Sequence, residues 1–227
     1  MLVHFGPLVC LDAVTGKLLW KNNNAKATYG TPARVRIGDT EVVVTSKGDI
    51  VRVADGKIMA SDLGNCMYAS PVVQDNMVYF IESDISAVQL PDQAADQIQC
   101  RELWSGNLEG EFYASPVVDG GRIYTVDKGG NYYVLDAKTG RTILNKTLDF
   151  ARTDGANVYP SPCLAGKLLF IGNDAGEILI VEPTGQSAVI GLNSLPRGSG
   201  ATPAFSGQRM FVRGGKLLYC IGDRSRQ

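Results

Sequence analysis

A short pattern returns five times along the chain at nearly constant spacing. It joins a serine or threonine to a following proline, and a tyrosine opens four of the five copies. The copies occupy residues 29–32, 68–71, 113–116, 159–162 and, without the tyrosine, 200–203. Their prolines lie 39, 45, 46 and 41 residues apart. A period of this length is typical of a four-stranded propeller blade.

The residues after each copy read as short antiparallel strands. After Pro116 come an apolar pair at 117–118, an alternating strand at 122–126 and further strands near 132–135 and 141–148. Turns rich in Gly, Asp and Asn separate them, and no helical periodicity interrupts the pattern. We therefore predict an all-β fold, a β-propeller of four-stranded antiparallel blades, with about five to six blades present. The chain 1–227 is predicted to be a single domain, with units at about 1–27, 28–66, 67–111, 112–157, 158–199 and 200–227.

The turn before the last strand of a unit has its own signature. Residues 11–20 (LDAVTGKLLW) align with residues 135–144 (LDAKTGRTIL). Asp and Thr side chains bond local backbone amides in such turns, and Gly accepts a positive φ. Trp20 suits packing between neighbouring blades, since an indole buries its rings and still places its N–H.

This run resembles the tryptophan-docking repeat of pyrroloquinoline-quinone-like (PQQ-like) propellers. The family includes quinoprotein dehydrogenases and an outer-membrane assembly lipoprotein. Its full-length members have about eight blades, whereas the strands predicted here number three, four, four, four, four and three. We therefore expect an incomplete arc of a larger propeller, and a smaller closed ring is the alternative.

The resemblance implies two classes of function. One is a non-enzymatic scaffold or protein-binding module. The alternative is a PQQ- and calcium-dependent alcohol or sugar dehydrogenase, or a fragment of one. Apart from these two classes, a sensor or sugar-binding domain is a third hypothesis. The partner expected for the scaffold is another protein or the remainder of a larger propeller.

Quinoprotein dehydrogenases hold the quinone and Ca²⁺ through carboxylate and amide oxygens, and an Asp acts as base. None of the oxygen-bearing residues here falls in a calcium-loop pattern, and the adjacent cysteine pair of many such enzymes is absent. We interpret most of them as turn residues, and we assign no catalytic, cofactor-binding or metal residue. The candidates are Asp84, Glu109, Glu111, Asp127, Asn131, Asp154, Asn157, Asn173 and Asp174.

Two inserts depart from the repeat, at 90–97 and 149–157. Loops that outgrow a regular repeat are where recognition tends to be built. Phe150, Arg152, Asp154 and Asn157 of the second insert are the predicted interaction residues, and a solvated connection is the alternative. The single histidine, His4, is interpreted as a strand residue because a triad or zinc site needs partners.

Composition excludes several other classes. The net charge is -1, with Lys and Arg scattered, so we expect no nucleic-acid partner. No stretch approaches the roughly 20 apolar residues of a transmembrane helix, and the first residues lack the features of a signal peptide. The five cysteines are far apart and are expected to be buried apolar residues. The sequence leaves the compartment open, and the resemblance implies a periplasmic or secreted protein.

Overall fold

Six separate antiparallel sheets make up the regular structure. The computed structural model describes residues 1–4, 6–151, 156–198 and 200–222. Within these ranges 22 strands form sheets of three, four, four, four, four and three strands, and no helix is present. This confirms the predicted all-β fold and the grouping of its strands.

The chain divides into two compact units, each with three sheets. Unit one contains Met1–Glu109 and Lys138–Gly140, and unit two contains Gly110–Ala137 and Arg141–Gln227. The single domain over 1–227 stays a prediction.

In unit one each sheet is a meander, in which strands adjacent in sequence pair antiparallel. The first sheet contains β1 (Leu2–His4), β2 (Leu8–Leu11) and β3 (Leu18–Asn22). The second contains β4 (Ala33–Ile37), β5 (Thr40–Val44), β6 (Ile50–Arg52) and β7 (Ile58–Ala60). The third contains β8 (Val72–Gln74), β9 (Met77–Ile81), β10 (Asp84–Gln89) and β11 (Arg101–Asn107).

Unit two repeats the same meander three times. The fourth sheet contains β12 (Val117–Asp119), β13 (Arg122–Val126), β14 (Asn131–Asp136) and β15 (Thr142–Thr147). The fifth contains β16 (Cys163–Ala165), β17 (Leu168–Gly172), β18 (Glu177–Val181) and β19 (Val189–Ser194). The sixth contains β20 (Ala204–Ser206), β21 (Arg209–Gly214) and β22 (Leu217–Ile221).

The cores lie between neighbouring sheets, and the middle strands supply most of the buried side chains. In unit one, Ile37, Val42 and Ile50 pack against Val78 and Phe80 of the next sheet. In unit two, a single cluster joins the fourth and fifth sheets through residues such as Tyr124, Tyr132, Leu169 and Val181. Both faces of these strands are covered, so their sequences are nearly continuous apolar runs.

The turn at residues 11–20 has the hydrogen bonds that its sequence predicts, and the structure shows what Trp20 packs against. Asp12 Oδ1 accepts the amide of Thr15 at 2.7 Å, and Gly16 has φ 70°. Trp20, on β3, lies against Gly56 in the corresponding turn of the second sheet. Its Nε1 donates to the Val53 carbonyl at 2.8 Å. The indole therefore joins two neighbouring sheets of unit one.

The prediction that all five cysteines are buried is wrong for Cys220, which is exposed on β22. Cys10 and Cys66 are buried, and Cys100 and Cys163 are half-buried. Burial raises the pKa of Cys66 to about 12 and that of Cys100 to about 11. Among the described residues, no helix has the length and apolar character needed to cross a membrane.

Candidate functional site

The serine and threonine of the repeated pattern join neighbouring sheets by hydrogen bonds. In unit one the Thr31 amide donates to Ser70 Oγ at 3.0 Å. In unit two the Ser115 amide donates to Ser161 Oγ at 2.9 Å, and the Ser161 amide donates to Thr202 Oγ1 at 2.9 Å. These bonds span 39, 46 and 41 residues, which are the proline spacings of the pattern. The repeat thus encodes bonds between sheets, a role that its spacing alone did not reveal.

The tyrosines that open the pattern form ring pairs at the surface of each unit. Tyr29 stacks on Tyr68 with centroids 5.2 Å apart and ring planes at 5°. Tyr113 and Tyr159 meet edge to face at 5.2 Å and 84°. Tyr29 is 70% exposed and Tyr159 is 38% exposed. Each unit therefore presents aromatic side chains to solvent from fixed positions.

A carboxylate fixes the backbone of the second tyrosine segment. Glu82 Oε1 accepts the amides of Tyr68 and Ala69 at 2.5 and 2.6 Å, and Oε2 accepts the amide of Met67 at 2.9 Å. Hydrogen bonds to an ionised acceptor are the stronger kind. Met67 is itself 44% exposed beside the tyrosine pair. This segment therefore presents its side chains from an ordered backbone.

In unit two, polar side chains surround the ring of Tyr113. Its hydroxyl donates to Glu111 Oε1 at 2.5 Å, and Lys128 Nζ lies 3.3 Å from Glu111 Oε2. The same ammonium lies 5.8 Å from the centre of the Tyr113 ring. The Tyr113 hydroxyl and then Lys128 lower the pKa of the Glu111 carboxyl. Glu111 is thus engaged by a tyrosine and a lysine on this surface.

Several oxygen-bearing candidates for a metal site close hairpin turns instead. Asp127 Oδ1 accepts the amide of Asn131 at 2.7 Å, and Oδ2 accepts its Nδ2 at 2.8 Å. Asn173 Oδ1 accepts the amide of Glu177 at 2.9 Å, and its Nδ2 donates to Glu177 Oε2 at 3.0 Å. These four residues therefore stabilise the turns between the second and third strands of two sheets.

Other candidates likewise bond within or next to their own sheet. Asp84 Oδ1 accepts Asn107 Nδ2 at 2.8 Å, and Asp174 Oδ1 accepts the amide of Asn157 at 2.8 Å. Across the part of the chain that the structure describes, no three His, Cys, Asp or Glu side chains cluster closely enough to hold a metal ion.

The predicted interaction residues of the 149–157 insert are only partly covered by the structure. Phe150 is half-buried and packs against the core of unit two. Asn157 bonds Asp174 through its amide and, at 3.3 Å, through Nδ2. Arg152 and Asp154 lie outside the described residues. Both described residues have structural contacts, and the binding role of this loop stays a prediction.

The first insert, 90–97, covers the outer edge of the second sheet. Asp96 bridges Arg52 at 3.1 Å and Lys57 at 2.7 Å. Just beyond it, the Ile98 amide donates to the carbonyl of Met59 on β7 at 3.0 Å. The fourth strand of the second sheet, β7, has no tryptophan, and this insert packs along that strand.

His4 lies half-buried on β1 of unit one. Burial lowers its pKa, and the carboxylate of Asp49 opposes that shift. This is the position of a strand residue, as the sequence indicated.

Sequence reasoning missed an apolar cavity of about 590 Å³ in unit two. It opens between the fifth and sixth sheets, and its walls include Phe170, Ile178, Phe205 and Ile221. The register places Ile178 where the preceding sheet has Tyr132. The smaller side chain at this position was the one signal in the sequence that could have indicated the cavity.

Comparison with known proteins identifies the repeat. A family model described as "Outer membrane protein assembly factor BamB" matches residues 92–202. Over these residues the chain is similar to PQQ-like repeats. A curated relative, "Outer membrane protein assembly factor BamB" of Legionella pneumophila (strain Paris), is 23% identical over 184 residues. That alignment covers 75% of this chain and 44% of the relative, so less than half the relative's length is matched.

Solved structures agree on the fold. "The crystal structure of BamB from Moraxella catarrhalis" superposes with a TM-score of 0.59 and 17% identity, over 100% of this chain and 79% of that one. At this low identity the similarity shows the fold alone, and the fold is a β-propeller. A "Europium-containing methanol dehydrogenase" gives a TM-score of 0.43 and 14% identity, over 55% of this chain and 24% of that one. The second similarity is too weak to support any conclusion.

Proposed function

We propose that this PQQ-like propeller is a non-enzymatic scaffold that binds protein partners through the loops that lead into its first strands. The observation that carries the proposal is the exposed ring of Tyr29, stacked at 5.2 Å on the half-buried ring of Tyr68. Tyrosine is enriched at the energetic centres of protein interfaces. Its ring contributes a large contact area at a small loss of conformational entropy.

The backbone beneath these rings favours binding without rearrangement. Glu82 holds three consecutive amides at Met67, Tyr68 and Ala69. A surface that is already ordered loses less entropy when it associates. The similarity to proteins named as outer-membrane assembly factors supports the same class of function. Under this proposal the protein works in the periplasm of a bacterium, beside the outer membrane.

The quinoprotein alternative is disfavoured by where the candidate oxygens point. A side-chain oxygen of Asp127 and one of Asn173 each accept the backbone amide of the residue four positions further along. A metal ion at either position would compete for oxygens that already accept turn amides. We therefore propose no bound quinone or calcium for this chain.

The test places a photo-crosslinking amino acid at Tyr29 in cells that express the protein. The matched control carries it at Val14, which is 95% exposed in unit one and outside the tyrosine pair. We expect a discrete protein adduct from position 29 and none from position 14. Equal adducts from both positions would contradict the proposed surface.

A second measurement addresses the enzymatic alternative directly. The purified chain is titrated with PQQ and Ca²⁺ while its melting temperature is followed. A ligand that binds only the folded state raises that temperature by mass action. We expect no rise, and a saturable rise together with alcohol or sugar oxidation would overturn the proposal.

A further inference from the structure

A polar groove of about 580 Å³ opens in unit one between the third sheet and residues 62–65, the segment that follows β7. In the pairing of β10 with β11, Asp84 lies opposite Asn107. Two residues further along, Ser86 lies opposite Ser105. Residues two apart on a strand point to the same face of a sheet. One wall of the groove is therefore a row of polar side chains on one face of the third sheet.

The fourth sheet shows why this groove is open. By register, Ser86 takes the place that Tyr133 has in the fourth sheet. The Tyr133 ring is buried, and its centre lies 5.9 Å from that of Phe112. Phe112 precedes the repeated tyrosine of its own sheet, whereas the residue before Tyr68 is Met67, which is 44% exposed. The third sheet thus has a serine and a partly exposed methionine where two aromatic rings pack together in the fourth.

The floor of the groove is apolar. Phe80 and Ile85 are buried in the third sheet and line the groove from below, and Leu63 joins them from the opposite wall. Gly64 lies directly against the Phe80 ring, and a Cβ at this glycine would collide with it. A concave site with an apolar floor and a few placed polar groups is the usual form of a small-molecule binding site.

The opposite wall, residues 62–65, is held in place by two lysines from neighbouring segments. Lys26 Nζ donates to Asp62 Oδ1 at 2.7 Å. Lys47 Nζ donates to Asn65 Oδ1 at 2.8 Å. A wall that is already ordered loses less conformational entropy when a ligand binds. The groove is therefore formed before any ligand enters it.

The charges around the groove favour a neutral ligand. Asp62 and Asp84 line the groove, and the ammonium groups of Lys26 and Lys47 at its wall balance their two negative charges. Asp84 Oδ1 also accepts Asn107 Nδ2 at 2.8 Å. Carboxylate oxygens accept hydrogen bonds, carboxamides donate and accept them, and serine hydroxyls do both. Such a set of groups matches a ligand that carries many hydroxyls and no charge.

We propose that this groove binds a short neutral oligosaccharide. The sugar hydroxyls bond the polar row on the third sheet, above all Ser86 and Ser105, and the C–H face of a sugar ring packs on Phe80 and Ile85. Burial of that apolar face adds to the affinity that the hydrogen bonds provide. The site is separate from the proposed protein-binding surface at Tyr29 and does not depend on it.

The probes are three neutral trisaccharides that differ in linkage and substituents: maltotriose, cellotriose and chitotriose. Each is titrated into the whole isotope-labelled chain while the backbone amide signals are followed by NMR. We expect saturable shifts with at least one of the three, confined to residues 62–65, 84–86 and 105–107. Sorbitol, an open-chain polyol without a ring face, is added at the same concentration of hydroxyl groups and should leave these signals unchanged.

Two substitutions with matched controls test the groove itself. Ser86→Tyr introduces the residue of the fourth sheet and should abolish the saturable shifts, whereas Val14→Tyr, at a position 95% exposed in unit one, should leave them unchanged. Ser105→Ala removes one hydroxyl and should weaken binding about fivefold. Its control, Ser206→Ala on β20, should bind within about twofold of the parent. Should Ser86→Tyr fail to fold, the comparison of the two alanine variants decides.

The contrary results are equally specific. No saturable shift with any of the three sugars at about 10 mM, the same shifts with sorbitol, or shifts that lie outside the groove would each overturn the inference. Equal binding by Ser105→Ala and Ser206→Ala would also overturn it. Such a failure with a position 29 adduct still present would remove this site and leave the proposed function, and sugar binding without that adduct would do the reverse.

Discussion

Replacing Gly56 with alanine tests how tryptophan and turn glycine hold two sheets of unit one together. The added Cβ would lie 2.6 Å from Cε3 and 2.8 Å from Cδ2 of Trp20. Non-bonded carbon atoms pack at about 3.5–4.0 Å, so the indole must shift by about 1 Å. That shift strains the 2.8 Å hydrogen bond from Trp20 Nε1 to the Val53 carbonyl.

The expected loss of stability in Gly56→Ala has three parts: backbone strain, overpacking and a weakened hydrogen bond. Gly16→Ala is the control for the backbone strain. Gly16 and Gly56 have φ of 70° and 75°, so alanine at either position costs about 1 kcal/mol of backbone strain. A Cβ at Gly16 meets no atom within 4 Å. Only Gly56→Ala adds overpacking and a weakened hydrogen bond, together about 2 kcal/mol. This difference corresponds to about 4–8 °C in melting temperature.

The assay uses tryptophan fluorescence, since the chain has only two tryptophans. In a Trp104→Phe background, Trp20 reports alone, and its emission should shift to the red in Gly56→Ala and not in Gly16→Ala. Gly140→Ala should repeat the effect with Trp104, whose Cε3 would lie 2.5 Å from the new Cβ. Equal melting temperatures for Gly16→Ala and Gly56→Ala would refute the proposed contact.

Two further predictions concern hydrogen bonds seen only in the folded chain. Ser161→Ala removes the 2.9 Å acceptor of the half-buried Ser115 amide and should lower the free energy of unfolding by about 1 kcal/mol. Thr202→Val removes the acceptor of the solvent-accessible Ser161 amide and should cost less than about 0.5 kcal/mol. Urea unfolding measures both losses, and equal losses would contradict the reasoning. The Arg52 guanidinium, then the Lys57 amide, lower the pKa of Asp55 to about 2 from 3.8. Because a lowered carboxyl pKa stabilises the fold above the unfolded value and the gain is lost on acidification, Asp55→Asn should flatten the fall in melting temperature between about pH 4 and pH 2. An unchanged pH profile would show that the ion pair contributes nothing.

Local signals in the sequence were sufficient for the elements of the fold. Alternating strands, Gly- and Asp-rich turns and the recurring Ser/Thr-Pro pair gave 22 strands in six groups, because hairpin turns depend on a few neighbouring residues. The turn carboxylates such as Asp127 were likewise interpreted correctly as turn residues. Cys220 was misjudged because burial depends on the neighbouring strand, which the local sequence does not reveal.

The 149–157 insert shows what the sequence alone could not reveal about a loop. Phe150 and Asn157 were selected because they lie in an insert, and the structure shows that one packs against the core and the other bonds Asp174, while the binding role of the loop stays a prediction. The stacked pair of exposed Tyr29 and half-buried Tyr68 was visible in the sequence only as part of a repeat. A repeated position in the sequence indicates that a residue belongs to the fold, but it does not reveal whether the side chain is exposed to solvent.

By itself the sequence determined the class of fold, the repeat type and the turn chemistry. These properties depend on residues a few positions apart, where the chain's own geometry restricts the outcome. Tertiary structure alone decided that Ser161 accepts a bond from Ser115, that Trp20 rests on Gly56, and that an apolar cavity opens between the fifth and sixth sheets. Contacts across about 40 residues arise from how sheets pack, and packing places together side chains that no local pattern relates.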